Sequence, residues 1–569
     1  MHTSVSRFIY SQSMKSRALG TAKRDPATNR LTRVGMLAAW VSIGSFFYYL
    51  RRDEILMLGD SVAHINIARR VFDSLNPGLQ QLGTVWLPLP HLLMIPFLLS
   101  DKMWQSGIGG SIPSMVAYVF GVVGVFRLVG ILLEVAGLTQ PRTQLAASIA
   151  ALVYAANPNL IYMQSTALTE PLYLAFFIWA VVYFAEFAAV LRRNELDHLA
   201  VRRALVRCGL FVACAELTRY DGWFLGGVMG ALIAVAATLH WNDRAVRGDA
   251  ARFLAGIAAA PVLWLVYNAA VYGNPLEFGN GPYSAKAIEQ RVGAPNPAAH
   301  NLWTAASYFL KSAQITLAVG NWGRLWLLAA VATTAAFIWR TRHRSSIIGV
   351  FVLLWSPAIF YSFSLAYGSV PLHVPMWWPF AIFNQRFGLE LLPLFAVTAG
   401  LLVAHISALG IVRHQWQVAA PAILLIVASY AFVWVAKPVC WREASDNWQM
   451  RRGVDSAVEL ALREFPPNSR YLMDITEHVG IMERLGVPLR RVVNNEDHRP
   501  WVKPTDPEGT WARALDDPRR YVDFVIAFEG DLVDKSVNRT NLKLLEVIHS
   551  FGRPPARIYE TQLTRNQLH

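Results

Sequence analysis

The sequence predicts a mainly α-helical, polytopic membrane protein of about eleven transmembrane helices, followed by a small C-terminal α/β domain. Three observations carry this. Of 569 residues, 54% are hydrophobic and only 16% charged, and the mean hydropathy is positive, a balance too apolar for a soluble chain. Apolar runs, most of them about 17 to 25 residues long, recur from position 34 to position 435, and that length suits a bilayer core. Beyond Val435 the composition becomes ordinary and short alternating segments replace the long runs.

In order, the apolar runs cover 34–50, 114–136, 145–160, 171–191, 205–217, 222–239, 253–272, 322–339, 347–367, 387–409 and 418–435. The first follows a basic tail, 1–33, and is followed by "YYLRRDE" without a small-x-small cleavage pattern, so it reads as an uncleaved anchor. Orientation follows from the basic residues between runs. Lys15, Arg17, Lys23, Arg24, Arg30 and Arg33 precede the first run; Arg192, Arg193, Arg202 and Arg203, then Arg244 and Arg247, then Arg340, Arg342 and Arg344 fall in alternate connections. These segments are assigned to the cytoplasm, although Arg51, Arg52, Arg69 and Arg70 run against the rule. With an odd number of spans, the N-terminus lies inside and the C-terminus outside, in the cell inner (plasma) membrane.

The net charge of +14 is thereby a matter of topology. Basic residues spread through loops make no stripe for a polyanion, so no nucleic-acid partner is expected. Cys208, Cys214 and Cys440 are too few and too far apart for a disulfide framework and are read as free thiols. No Walker A, HExxH, GxSxG or CxxC pair occurs, which leaves nothing for ATP hydrolysis, a zinc site or a serine hydrolase.

Three long loops, 51–113, 273–321 and 368–386, fall on the outer side. The first holds "HLLMIPFLLS", too short to span and suited to the interface. In the C-terminal part, "SDNWQMRRGVDSAVELALREF" predicts an amphipathic helix beginning near Ser445. "RYLMD", "LRRVV" and "YVDFVIAF" predict strands, with helices at 479–485 and 541–548. The domains expected are the tail 1–33, a membrane domain 34–436 and an extracytoplasmic domain 437–569.

Charged residues gather where the chain meets the outer surface. "GDSVAHINIARR" puts Asp60 and His64 one helical turn apart on one face. Alone, that pair also fits an ordinary helix start, Asp60 complementing the dipole and His64 a bystander. "TALTEPLY" places Glu170 at the start of a span, "ELTRYDGWF" places Glu216, Arg219 and Asp221 at a turn, and "NQRFGLELLPLF" places Arg386 and Glu390 at another span's start. Charges at that depth are costly unless they pair, line a wet cavity or serve chemistry. Arg127 and Glu134, seven apart within one run, read as a structural intramembrane pair. Asp474, Glu477 and His478 in "MDITEH" read as a strand end followed by a helix cap.

A basic tail, one span and a long outer loop that opens with a Gly-Asp pair resemble the GT-C superfamily of integral membrane glycosyltransferases. Further along, "GTVWLPLPHLLMIPF", "TALTEPLY", "TRYDGWF", "YNAAVYGNPLEFGNGPYSA" and "NQRFGLELLPLF" follow in the order found in its polyprenyl-phosphate-sugar-dependent members, including bacterial proteins of the dolichyl-phosphate-mannose mannosyltransferase-like group. Asp60 is followed by Ser61 where protein O-mannosyltransferases carry Asp-Glu, and no WWDYG-type signature is present, so neither that subfamily nor the oligosaccharyltransferases is matched. The resemblance implies a glycosyltransferase of the hexosyltransferase class, with Asp60 as catalytic carboxylate.

A lipid phosphate is already a good leaving group, so transfer needs a base for the acceptor hydroxyl and positive charge at the phosphate. Asp60 is assigned as general base in an inverting displacement, and Arg386 and Arg219 as donor-phosphate ligands. His64, Glu170, Asp221, Tyr283 and His91 are candidates for binding or positioning substrate; His91 fits a packed interfacial histidine better than a catalyst, and an ordinary turn residue fits Tyr283 at least as well. Asp60, His64 and Glu170 are the candidate ligands if a divalent cation, Mg or Mn, takes part. The partners expected are a polyprenyl-phosphate-linked sugar, a glycan, lipid or protein acceptor, and the lipid bilayer. The alternative is a multi-pass transporter or flippase for a lipid-linked or anionic solute, which would place its charges near mid-bilayer.

Overall fold

In the computed structural model, residues 26–138, 140–192, 195–293, 295–341, 345–409, 414–476, 478, 480–498, 509–550 and 553–561 are described. Lys15, Arg17, Lys23, Arg24, Arg193, Arg342 and Arg344, on which part of the orientation rests, lie outside them, as does Glu477.

Every predicted apolar run overlaps a helix, although 145–160 is broken at 156–157. The described residues begin with α1 (Pro26–Leu50), followed by α2 (Gly59–Arg70) and α3 (Leu89–Leu98) in the first long loop. The bundle continues with α4 (Ile108–Val135), α5 (Gln140–Ala155), α6 (Glu170–Val190), α7 (His198–Glu216), α8 (Tyr220–Leu239) and α9 (Arg244–Tyr272). It closes with α10 (Trp322–Arg340), α11 (Ser345–Tyr367), α12 (Leu392–Ser407) and α13 (Trp416–Ala436). Among the described residues, nine helical segments are long and apolar enough to cross a membrane, and the chain is a multi-pass membrane protein. Two of the eleven predicted runs fall short of that standard. α5 has only 16 residues, and α7 carries Arg202, Arg203, Arg207 and Glu216. Short polar caps set the helix starts: Asp197 accepts from the Ala200 N–H at α7, and Asp243 from the Ala245 and Val246 N–H groups at α9.

From α13 the chain passes through Lys437 and Pro438 into α14 (Val439–Leu462). This helix starts before the predicted Ser445, because Pro438, which cannot donate, precedes a segment whose Val439, Cys440 and Ala444 bury against the bundle. A five-stranded sheet follows, with strands β1 (Tyr471–Met473), β2 (Val492–Val493), β3 (Phe524–Phe528), β4 (Leu542–Ser550) and β5 (Arg553–Thr561) in the order β2-β1-β3-β5-β4. β1 is parallel to β2 and β3, while β5 is antiparallel to β3 and β4. The predicted strands and the helix near 479–485 are present, the latter as Gly480–Leu485. The predicted helix at 541–548 is instead β4: the helix-favouring Leu and Lys residues there are overridden by antiparallel pairing with β5.

One face of the sheet, through Tyr471, Met473, Phe524 and Ile526, shares a core with Ile65 and Ala68 of α2 and with Met94 and Leu98 of α3. Thus α2 lies between the bundle and the sheet. Arg69 and Arg70, the basic pair that ran against the charge rule, serve this junction. Arg69 bonds Asp73 and Asp101, and Arg70 pairs with Glu496. Arg127 pairs not with Glu134 but with Glu186 of α6. Seven residues along one helix are about 10 Å of rise, too far for a direct bond, whereas α6 packs alongside.

Candidate active site

Gly59 opens α2, and its backbone N–H, which has no partner within the helix, donates to Asn447 Oδ1 of α14 at 2.9 Å. No side chain caps α2. Asp60 is free to turn elsewhere, and its Oδ2 accepts a 2.5 Å bond from Arg386 Nη2. Its side chain is 37% exposed, against 12% for Arg386, so the carboxylate is the open member of the pair. Partial burial opposes its ionisation, yet Arg386, with His64 and Arg451, outweighs this and holds the carboxyl below the usual range.

Arg386 occupies a short 3-10 turn, Gln385–Leu391, ahead of α12. Two features fix that turn. Glu443 of α14 accepts the backbone N–H groups of Asn384 and Gln385 at 2.6 and 2.9 Å. Gly388 sits so close to the helix Leu302–Ile315 that a Cβ would come within 2.6 Å of the Ala313 backbone nitrogen. A larger residue would push the turn, and Arg386 with it, off the bundle.

Glu170 joins the two arginines. Its Oε1 lies 3.0 Å from Arg386 Nε and accepts from Arg219 Nη1 at 2.9 Å. Arg219 also donates to Thr169 Oγ1, to Tyr361 OH and to Asp221 Oδ2, and stands 3.8 Å from Glu390. Tyr361 in turn donates to Asp221 Oδ2 at 2.9 Å. Glu170 Oε2 and Asp221 Oδ1 are buried without a hydrogen-bond partner; both are acceptors that a ligand hydroxyl would satisfy.

His64 is buried one turn beyond Asp60 against the Trp86 ring, with centroids 4.6 Å apart, and its Nδ1 lies 2.9 Å from His91 Nε2. Burial depresses both imidazoles, His64 to about 4 despite the pull of Asp60 and Glu170. At neutral pH the pair is uncharged, one ring donating to the other. Tyr283 lies half-buried in the turn ahead of the helix Ala285–Val292. Among the described residues, no group of three or more His, Cys, Asp or Glu side chains is arranged to hold a metal ion. The Arg386 guanidinium stands between the carboxylates of Asp60 and Glu170, the two acidic residues named as ligands if a cation takes part, and supplies positive charge there.

The structure is similar to the crystal structure of ArnT from Cupriavidus metallidurans in the apo state, with a TM-score of 0.52 and 14% identity over 95% of this chain and 99% of that one. The fold is GT-C-like. ArnT bound to undecaprenyl phosphate matches equally, with a TM-score of 0.52 and 14% identity over 93% of this chain and 98% of that one. The apo oligosaccharyltransferase of Archaeoglobus fulgidus gives a TM-score of 0.45 and 12% identity over 88% of this chain and 69% of that one. No family model matches the sequence, and no curated protein matches it.

Within this GT-C-like frame, several residues not singled out in the sequence hold the cluster together. Tyr361 comes from the middle of an apolar run and gives no sequence signal. Glu443, Asn447 and Arg451 do give one, a polar stripe repeating every four residues on α14. Arg451 Nη2 donates to Met57 O at 2.7 Å, next to the Asn447–Gly59 bond. One face of one helix thus grips both the start of α2 and the turn that carries Arg386.

Proposed function

We propose that the chain is a glycosyltransferase that moves a sugar from a polyprenyl-phosphate donor to an acceptor hydroxyl of a glycan, lipid or protein on the extracytoplasmic face. The observation that carries this reading is that two guanidinium groups, Arg386 and Arg219, converge on one oxygen of Glu170 beside the partly open carboxylate of Asp60. A lipid phosphate arriving there competes with Asp60 for Arg386 through charge-assisted bonds. Asp60, released, accepts the acceptor's proton. The acceptor oxygen attacks the anomeric carbon, the bond from that carbon to the phosphate oxygen breaks, and the lipid phosphate leaves with its charge held by Arg386 and Arg219, inverting the anomeric centre.

Asp221 and Tyr361 orient Arg219, while Glu170 spaces the two arginines. The neutral His64–His91 pair packs behind Asp60 and adds no positive charge to compete for the phosphate. Arg386 faces both carboxylates and supplies the positive charge beside them. A GT-C-like fold shared with a protein solved with undecaprenyl phosphate supports this donor class. The reading takes 1–33 as a cytoplasmic tail, 34–436 as the catalytic membrane domain and 437–569 as the extracytoplasmic domain. Gathering of the charges at one end of the bundle, instead of at mid-bilayer, favours transfer over transport.

The test is to incubate membranes bearing wild type or Asp60→Asn with labelled polyprenyl-phosphate sugars and follow the label. Transfer by the wild type and none by the variant supports the reading. Solute uptake without transfer from any donor overturns it in favour of a transporter.

A further inference from the structure

A second charged site lies at the far end of the bundle. A cavity of about 560 Å³ opens among α1, α4, α5, α6 and α7, lined by Arg30, Arg127, Arg203, Arg207, Glu134 and Glu186 together with apolar side chains such as Phe126 and Ile131. It is separate from the Asp60 cluster: Glu186 stands about 24 Å along the α6 axis from Glu170. α1 likewise reaches the cavity at Arg30 and leaves toward Asp60 only after Leu50.

Two of its arginines, Arg203 and Arg207, have no carboxylate partner among the described residues. Arg127 bonds Glu186. Arg203 forms no hydrogen bond or ion pair among the described residues, and Arg207 lies over the Tyr183 ring, 5.6 Å from its centroid, with no carboxylate partner. The two are one turn apart on the same face of α7. Arg207 is about 14 Å inside that helix, and Arg127 about 12 Å inside α4. Guanidinium groups without a carboxylate partner near a membrane surface attract anionic headgroups.

We propose that this cavity binds the phosphate headgroup of an anionic membrane lipid from the leaflet opposite the Asp60 cluster. Two guanidinium forks on one helix face match a phosphate's oxygens, which a single carboxylate would satisfy less fully. The apolar wall beside them suits a glycerol backbone and upper acyl chain, which a free phosphate would leave unused. The bound lipid bridges helices α4, α6 and α7, and basic pockets between membrane helices are a recurrent site for such headgroups.

Thermal unfolding of the purified full-length chain in neutral detergent, followed by tryptophan fluorescence, tests this with phosphatidylglycerol, phosphatidylcholine and inorganic phosphate as probes. Phosphatidylglycerol alone is expected to raise the midpoint. Arg203→Gln combined with Arg207→Gln should raise the lipid concentration needed by about tenfold or more. A second variant keeps every charge: an added Cβ at Gly130, which lines the cavity, meets nothing within 4 Å, so Gly130→Leu fills the space without a backbone clash and should abolish the shift. Asp60→Asn should keep it in full. An equal response to phosphatidylcholine, an undiminished shift in both cavity variants, or a shift lost in Asp60→Asn would overturn the site. A shift reproduced by inorganic phosphate would overturn the lipid as its ligand.

Discussion

Arg386 Nη2 bonds Asp60 Oδ2 at 2.5 Å although 326 positions separate them in sequence. The pair joins the start of the first long loop to the turn ahead of α12, and it leaves the carboxylate ionised and partly exposed. Asp60→Asn keeps the shape and removes the base. Transfer should fall by about 100-fold to 10,000-fold, with membrane insertion unchanged, as read from label transfer and protease protection in the same membranes.

Arg386 faces two carboxylates at once, which a planar fork can do and a single ammonium cannot. Arg386→Lys is expected to raise the donor KM by roughly tenfold or more, the weight of a lost charge-assisted bond. Initial rates against donor concentration measure this. An unmoved KM would place the donor phosphate elsewhere.

Asn447 touches no reacting group; it holds Gly59, one residue before Asp60. Asn447→Ala should cost about 1 kcal/mol of stability and lower kcat while leaving the donor KM nearly unchanged. Asn447→Asp retains an acceptor at the same place and should restore kcat. A purely structural role would predict parallel losses of stability in both variants and no selective rescue of turnover.

His64 carries the clearest pH signature. Its folded-state value, about 4, lies below that of an unfolded histidine, chiefly through burial, so between roughly pH 6.5 and 4 the unfolded chain binds more protons. Stability contributed by neutral His64 is complete above that window and declines as pH falls through it, with His91 acting in the same sense. The unfolding midpoint should drop across this range in wild type, and His64→Gln should flatten the slope. Asp60, held low by Arg386, changes charge only below the usual carboxylate range, so the two effects separate by pH.

Much of this arrangement was legible in the residues themselves. Asp60, Glu170, Arg219, Asp221 and Arg386 are charged groups at the edges of apolar runs, where hydrocarbon penalises them, and the fold brings all five into one connected cluster. The helices were legible because hydropathy over a span's length is a strong local signal. Tyr361 was not, since a tyrosine inside an apolar run is commonplace. β4 was misread because its leucines suit a helix until β5 offers a ladder. The hold of Asn447 on Gly59 joins segments 388 positions apart, and no local pattern encodes which helix faces will meet.

The polar stripe of α14 makes helical phase a functional quantity. Glu443 secures one half of the cluster and Asn447 the other, a single turn further on. One residue inserted between them would rotate everything beyond by about 100° and advance it by about 1.5 Å. The first grip would survive and the second would swing away. Insertions, deletions and crosslinks that alter the length of this segment should therefore silence the protein while leaving its membrane helices intact.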